Sequence, residues 1–394
     1  MPDDGLEQRV RARMASIRAS RLERTLLPPS GVDLSSNDYL GLSTHPAVTR
    51  AMAEAVLRDG AGSTGSRLLR GERAAFADVE RRFAAFKDAE RALYFSSGYL
   101  ANLGVLTTFA EKGDVIFSDE RNHASLIDAC RLSRAECVVF PHNGADAVEQ
   151  AVRLKPGATY FVVTESLFSM GGDVAPLQRY AEICRRTGAT LIVDEAHAVG
   201  VYGARGSGLL EELDIDPNSC VSINTAGKAL GVSGAFVAGP AWAIDYLIQR
   251  ARPFIFSTAP PPSVAAALSA SLDVIAAEPE RRAALATRVA RLHDALEAHG
   301  LVFPCARSHI VPIVIGDNDR AMAAAAALQA QGFDVRAIRP PSVPPGTARL
   351  RISINAGLDD DAIDRFAAAL ARVFREIVLS SASSAYSAVE SSPA

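Results

Sequence analysis

The chain has 394 residues, 48% of them apolar and 22% charged, with 45 acidic against 41 basic side chains and a formal net charge of -4. That balance gives no electrostatic reason to bind nucleic acid or an anionic membrane surface, and no uninterrupted apolar run reaches the length of a bilayer span. The length suffices for a large domain and a smaller one.

The first 25 residues hold no apolar signal core, and Asp3, Asp4, Glu7 and Glu23 argue against an arginine-rich transit peptide, so a cytoplasmic protein is expected. The five cysteines, at 130, 137, 184, 220 and 305, show neither a C-x-x-C pair nor metal-ligand spacing. They read as small core residues in a reducing compartment, without a disulfide framework and with no metal site.

In chain order, Gly5 to Leu26 reads as an amphipathic helix docking on the body of the protein, with Leu6, Val10, Met14, Ile17 and Leu22 near helical spacing. Pro28-Pro29-Ser30-Gly31 ends it, and an extended lead-in runs to Leu42. From about 46 to 265, helical and short apolar stretches alternate, the pattern of a mostly parallel sheet covered on both faces. Strands are expected at Ala92 to Phe95, Asp114 to Ser118, Glu136 to Phe140, Thr159 to Glu165, Thr190 to Asp194, Cys220 to Asn224 and Ala235 to Ala238. Helices lie between them, such as Leu177 to Thr187, ended by Gly188. The Pro-rich stretch Phe256 to Ser263 leaves this domain, and long helices follow at Val264 to Glu278 and Pro279 to His299. A small α+β unit comes next: strand Ile310 to Ile315, helix Arg320 to Gln331, strands near Asp334 to Ile338 and Ala348 to Ile354, and helix Asp360 to Val378. The expected organisation is therefore an N-terminal helix and lead-in over 1–41, a large α/β domain over 42–265, a small C-terminal α+β domain over 266–379 and a disordered Ser/Ala-rich tail over 380–394.

Two strands run straight into reactive side chains. Thr190-Leu191-Ile192-Val193 is followed by Asp194-Glu195-Ala196-His197, and Val221-Ser222-Ile223-Asn224 by Thr225-Ala226-Gly227-Lys228. Ligands of open α/β sheets bind beyond the carboxyl ends of the strands, so an acid, an imidazole and an amine reach one edge. This set suits an aromatic cofactor bearing a carbonyl, with Lys228 forming a Schiff base and Asp194 holding the ring nitrogen protonated. Asp-Glu-Ala-His also occurs in nucleotide-driven helicases, where the acid serves magnesium. That reading needs a G-x-x-x-x-G-K-[ST] loop, and Gly60 to Gly65 is followed by Ser66 and Arg67 instead. The same glycines satisfy G-x-G-x-x-G, but Ala47 to Leu57 before them reads as a helix, so the dinucleotide context fails. They are expected to let a loop pass close to substrate or a partner subunit.

Seven segments in order resemble the α-oxoamine synthase family of pyridoxal-phosphate enzymes: Ser36-Asn37-Asp38-Tyr39-Leu40-Gly41-Leu42, Gly65-Ser66-Arg67-Leu68-Leu69-Arg70-Gly71, Ser96-Ser97-Gly98-Tyr99, Asn122-His123-Ala124-Ser125, Glu165-Ser166-Leu167-Phe168-Ser169-Met170, Asp194-Glu195-Ala196-His197 and Gly227-Lys228-Ala229-Leu230-Gly231. The resemblance implies the α/β fold type I of PLP-dependent transferases, a large mostly parallel sheet domain with helices on both faces plus a smaller α+β C-terminal domain. It also implies a homodimer with its active site at the interface. Pyridoxal 5'-phosphate would be joined to Lys228, with its ring nitrogen on Asp194 and its phenolic oxygen near His197. His123, which finds no partner in its own motif to explain it, would stack on the ring face. The phosphate would sit where Ser97, Gly98 and Tyr99 open a helix near Ala101, with Thr225 nearby and Thr258 or Ser257 from the other subunit. Ser169 and Glu165 would line the pocket. Arg339 is the first candidate to grip the substrate carboxylate, with Arg351 and Asn37 behind it.

The stretches Ala337-Ile338-Arg339-Pro340-Pro341-Ser342-Val343-Pro344 and Thr347-Ala348-Arg349-Leu350-Arg351 look most like the biotin-pathway member of the family. That implies decarboxylative condensation of L-alanine with pimeloyl-CoA or a pimeloyl-acyl carrier protein. The alternative is another member of the family, using glycine or serine with a different acyl-CoA. A catalytically silent scaffold is disfavoured because the reactive residues are intact.

Overall fold

The computed structural model describes residues 5–152, 158–303 and 306–379, and the tail expected over 380–394 lies outside them. The strands in chain order are β1 (Val32–Asp33), β2 (Arg91–Phe95), β3 (Val115–Asp119), β4 (Glu136–Phe140), β5 (Tyr160–Glu165), β6 (Thr190–Asp194), β7 (Cys220–Thr225), β8 (Ala235–Gly239), β9 (Ile310–Gly316), β10 (Phe333–Asp334), β11 (Ala337–Ile338) and β12 (Ala348–Ser353). Two compact units form: a larger one of Asn37–Ser169 and Asp173–Leu285, and a smaller one of Met1–Ser36, Met170–Gly172 and Ala286–Ala394.

The larger unit is built on a seven-stranded sheet of order β2-β8-β7-β6-β5-β3-β4. Strands β7, β6, β5, β3 and β4 are mutually parallel, whereas β8 runs antiparallel to both its neighbours. The central strands are almost wholly buried runs rich in Val, Ile and Phe, as a sheet covered on both faces requires. Val105 and Leu106 of helix Gly98–Phe109, Leu126 and Cys130 of helix Ala124–Ser133, and Ile244 and Leu247 of helix Ala241–Arg250 pack with Val163, Ile192, Ile223 and Val237 in one core. Phe83 of helix Ala74–Lys87 stacks on Phe236 of β8, ring centroids 4.0 Å apart. Helix Pro262–Ala277 packs against helices Pro46–Asp59 and Ala74–Lys87 within this unit. All seven expected strands form, with ends within one residue of those read from the pattern.

This topology brings the chemistry to one place. Parallel β5, β6 and β7 end at the same edge, with Glu165 opposite Asp194 and Asp194 opposite Ile223.

In the smaller unit β11-β12-β9 form an antiparallel sheet, and β1 pairs in parallel with β10. Its helices Asn318–Gln329 and Asp360–Val373 start on the aspartate caps Asp317 and Asp359, whose carboxylates accept from Arg320 N at 2.9 Å and Ala362 N at 2.6 Å. Phe333 and Phe366 meet edge to face, 5.4 Å apart.

Three expectations are corrected. The N-terminal helix spans Gly5–Ala19 rather than reaching Leu26, and none of its side chains is buried. Its apolar stripe is a single residue wide between arginines 9, 11, 13 and 18, too thin to anchor it, and Arg21 turns the chain with a φ of 55°. The strand expected from Asp334 to Ile338 is divided into β10 and β11, because the Val335 N–H bonds back to the Phe333 carbonyl at 3.0 Å. Cys137, expected in the core, is exposed on β4, where the sheet ends.

Candidate active site

Lys228 lies in the turn between β7 and β8. Its chain direction is fixed by Gly231, whose φ is 68° and where a Cβ would come within 2.5 Å of the Leu42 carbonyl carbon. Only glycine passes there without displacing the lead-in.

The Lys228 Nζ is 2.7 Å from His197 Nε2. His197 is buried, with Nδ1 2.7 Å from the hydroxyl of Tyr39, which is fully buried and donates to Asn37 Oδ1 at 2.9 Å. The Tyr39 proton is committed to Asn37, so His197 Nδ1–H donates to Tyr39 and Nε2 of the neutral ring accepts from the lysine. The tautomer of His197 is thereby set by residues 37 and 39, which the lead-in delivers.

A second chain runs from Asp194 to His123. Asn102 Nδ2, buried on helix Gly98–Phe109, donates to Asp194 Oδ2 and to Ser125 Oγ, both at 2.8 Å. Asp194 Oδ1 accepts from Ala196 N at 2.9 Å. Ser125 Oγ is 2.8 Å from His123 Nδ1, which also accepts from Ser125 N at 3.2 Å as the cap of helix Ala124–Ser133. With Nδ1 accepting, the proton of the neutral imidazole is on Nε2. This corrects the sequence reading: the partner of His123 is in its own motif, two residues on. His123 is exposed, and desolvation first, with the charge of Lys228 adding and that of Asp194 opposing, holds its pKa below the usual value.

Glu165 is buried beside Asp194. Desolvation foremost, then the Asp194 charge, push its pKa up to about 8, against the opposing effects of Lys228 and of backbone bonds from Ser169 and His123. Its Oε2 accepts from Ser169 N at 3.1 Å. Glu195 takes no part in this network. It forms a fully buried ion pair with Lys87, whose ammonium also donates to the Ser207 carbonyl at 2.6 Å, while its other oxygen accepts from Leu210 N at 3.1 Å. The acids of Asp-Glu-Ala-His are thus spoken for by Asn102 and Lys87, and no metal-ligating cluster forms among the described residues.

The expected anion site is built at the start of helix Gly98–Phe109. Ser97 caps it, accepting from Leu100 N at 3.2 Å, and a Cβ at Gly98 would collide with Thr225 Oγ1. Thr225 from the end of β7 therefore stands directly against the open helix start, a cradle of backbone N–H and hydroxyl. The Tyr99 hydroxyl is bonded to Asp128. Thr258 is exposed in the segment after helix Arg252–Ile255, next to Ala259, whose N–H bonds to the Gly65 carbonyl at 2.8 Å.

Arg339 and Arg351 belong to the smaller unit. The Arg339 guanidinium donates to the carbonyls of Arg21 and of Glu23, the latter at 3.1 Å. Arg351 is buried on β12 and donates to Ser353 Oγ at 2.7 Å.

Residues 29–370 match the family described as aminotransferase class I and II. This chain belongs to the class I and II aminotransferase family. Among curated members, an 8-amino-7-oxononanoate synthase of Anaeromyxobacter dehalogenans is 47% identical over 346 residues, 88% of this chain and 87% of the relative. Its namesake in Burkholderia pseudomallei is 48% identical over 345 residues, 86% of this chain and 88% of the relative. Among solved structures, a serine palmitoyltransferase from S. paucimobilis with a bound PLP-myriocin aldimine superposes with a TM-score of 0.86 at 30% identity, covering 93% of this chain and 97% of its own. An 8-amino-7-oxononanoate synthase from Francisella tularensis superposes with a TM-score of 0.77 at 29% identity, covering 88% and 98%.

In this aminotransferase-family site, sequence reading missed Tyr39 and Asn102 as working residues. Tyr39 lies inside a recognised motif, yet nothing in its spacing distinguishes it from the leucines around it. Asn102 reads as one polar residue in an apolar helix, and its burial was the available signal, since a buried amide must find partners.

Proposed function

We propose that this chain catalyses the decarboxylative condensation of L-alanine with a pimeloyl thioester, carried on CoA or acyl carrier protein, giving 8-amino-7-oxononanoate, carbon dioxide and the free thiol. The observation that carries the reading is the 47–48% identity to curated synthases of that name across 86–88% of the chain, on a site whose residues suit pyridoxal 5'-phosphate. The residues fit that group: the anion cradle of Gly98 and Thr225, the Lys228 amine and the Asp194 carboxylate occupy the sheet edge of one unit.

When bound, pyridoxal phosphate supplies the aldehyde and the electron-accepting ring the condensation needs. Lys228 would hold the cofactor through its amine, and that amine, when free, is placed to take the alanine Cα proton and to return one to the product. Asp194, aimed by Asn102 Nδ2 and Ala196 N–H, keeps the pyridine nitrogen protonated, because a carboxylate beside it favours the charged form. His197, held by Tyr39 and Asn37, would pair with the phenolic oxygen, and His123 would cover the ring. Ser97, Gly98, Tyr99 and Thr225 would bind the phosphate, and Thr258 of a second copy of the chain would add to it in a homodimer. Arg339 is the first candidate to grip a substrate carboxylate, because a guanidinium matches it with a charged, bidentate pair, and Arg351 and Asn37 are the alternatives.

The serine palmitoyltransferase likeness favours a second reading, a sister reaction with serine or glycine and another acyl-CoA. Its 30% identity against 47–48% places it behind, since backbone likeness follows the fold rather than the substrate. Assaying alanine, glycine and serine against thioesters of graded length decides: alanine with pimeloyl thioester is expected to give the highest kcat/KM, and a higher value for serine with a long-chain acyl-CoA would overturn the assignment.

A further inference from the structure

Cys130 and Cys137 are two thiols with no part in the roles above. Cys130 is buried at 1% exposure in helix Ala124–Ser133, and Cys137 is exposed on β4, the end strand of the sheet beside β3. Only Arg134, with φ of 67°, and Ala135 separate the helix from β4. Cys130 packs in one core with Ile116 of β3, and Cys137 is in parallel register with that same Ile116, so the two thiols share one face of the sheet across the short helix-to-strand link.

We propose that Cys130 and Cys137 are a reversible oxidation site for hydrogen peroxide, with Cys137 the attacking thiol and Cys130 the resolving one. The Cys137 thiolate attacks one peroxide oxygen, the O–O bond breaks, and the other oxygen leaves as hydroxide, which takes a proton to become water. The sulfur, oxidised by two electrons, becomes a sulfenic acid. Cys130 then attacks that sulfur: the S–S bond forms, the S–O bond breaks, and the Cys130 proton leaves with the hydroxyl as water. Two thiols and one peroxide thus give one disulfide and two waters, and a dithiol reverses the change.

The electrostatics agree with the assignment of roles. The Cys130 thiol, against the opposing effect of burial and with the aid of Arg131, lowers the Cys137 pKa to about 7, while Cys130 itself is pushed up. Cys184 and Cys220 are buried and pushed to about 12 by desolvation, which makes them poor nucleophiles.

The test uses the intact protein, hydrogen peroxide at neutral pH, thiol blocking and non-reducing tryptic mapping. Arg131 and Arg134 lie between the two cysteines, so trypsin places them in separate peptides. A Cys130–Cys137 cross-link that dithiothreitol removes is expected. In Cys130→Ser, Cys137 should be trapped by dimedone as the sulfenic acid, and in Cys137→Ser, Cys130 should stay reduced. The alkylation rate of Cys137 should reach half its maximum near pH 7. Should both cysteines remain free thiols after peroxide, should the cross-link join other cysteines, or should Cys137 titrate as an ordinary thiol in the folded variants, the site is overturned.

Discussion

Asn102 divides its amide between Asp194 and Ser125 and so links that acid to His123 through the Ser125 hydroxyl. Asn102→Leu deprives a buried carboxylate of a charge-assisted bond worth about 1.5–3 kcal/mol, and steady-state kinetics should show kcat lower by roughly 10- to 100-fold with KM for the thioester little changed. Glu165 offers a cleaner sign. Its carboxyl is raised in the fold to about 8 from its ordinary value of 4.5, so the folded chain holds the proton more tightly than the unfolded chain. Its contribution is fully present below the unfolded pKa and erodes as pH climbs towards 8. Glu165→Gln, a neutral isostere, removes that loss: its melting temperature should fall less than that of the natural chain between pH 5 and 8, and parallel curves would show that Glu165 is ionised throughout.

At the scale of elements, two ion pairs fix the segments around the site. Lys87, the last residue of its helix, neutralises Glu195 in full burial, so Lys87→Met strands a carboxylate and should cost about 3–5 kcal/mol in denaturant unfolding. His142 bridges Asp119 at the end of β3, 3.0 Å from Nδ1, and Asp173 in the loop after β5. Burial opposes its charge, but the two carboxylates outweigh burial and raise its pKa to about 9. Its stabilisation is therefore complete below the unfolded value of 6.5 and is lost as pH rises through 9. His142→Gln should lower the melting temperature by a few degrees, about 1–2 kcal/mol after allowance for its solvent access, with the gap closing above pH 9. Neither device was legible in the sequence, because Lys87 and Glu195 stand 108 positions apart and His142 is 31 from Asp173. The strands were legible because continuous β-branched runs bounded by turns admit few alternatives. Asp194 ends such a strand and His197 and Lys228 stand three residues past one, and the family resemblance is what singled them out. The N-terminal helix was over-read because spacing alone does not say whether a stripe has a surface to bury against.

For the whole molecule, the larger unit holds the cluster around Lys228, and the smaller unit holds Arg339 and Arg351. The homodimer remains a proposal; light scattering of the purified protein should give twice the mass of the chain, and a stable active monomer would exclude a second copy from the site. No helix among the described residues is long and apolar enough to cross a membrane. The central claim is the bond between Lys228 and pyridoxal phosphate on a ring held by Asp194, and the most direct measurement is borohydride reduction of the protein supplied with that vitamer, followed by peptide mapping. A protein that is yellow before reduction, bleaches with borohydride and then carries one reduced adduct, on Lys228, with adduct and turnover both lost in Lys228→Ala, turnover by on the order of 10³-fold or more, is the predicted result. A protein colourless before reduction, or an adduct on another lysine with turnover intact in Lys228→Ala, would contradict it.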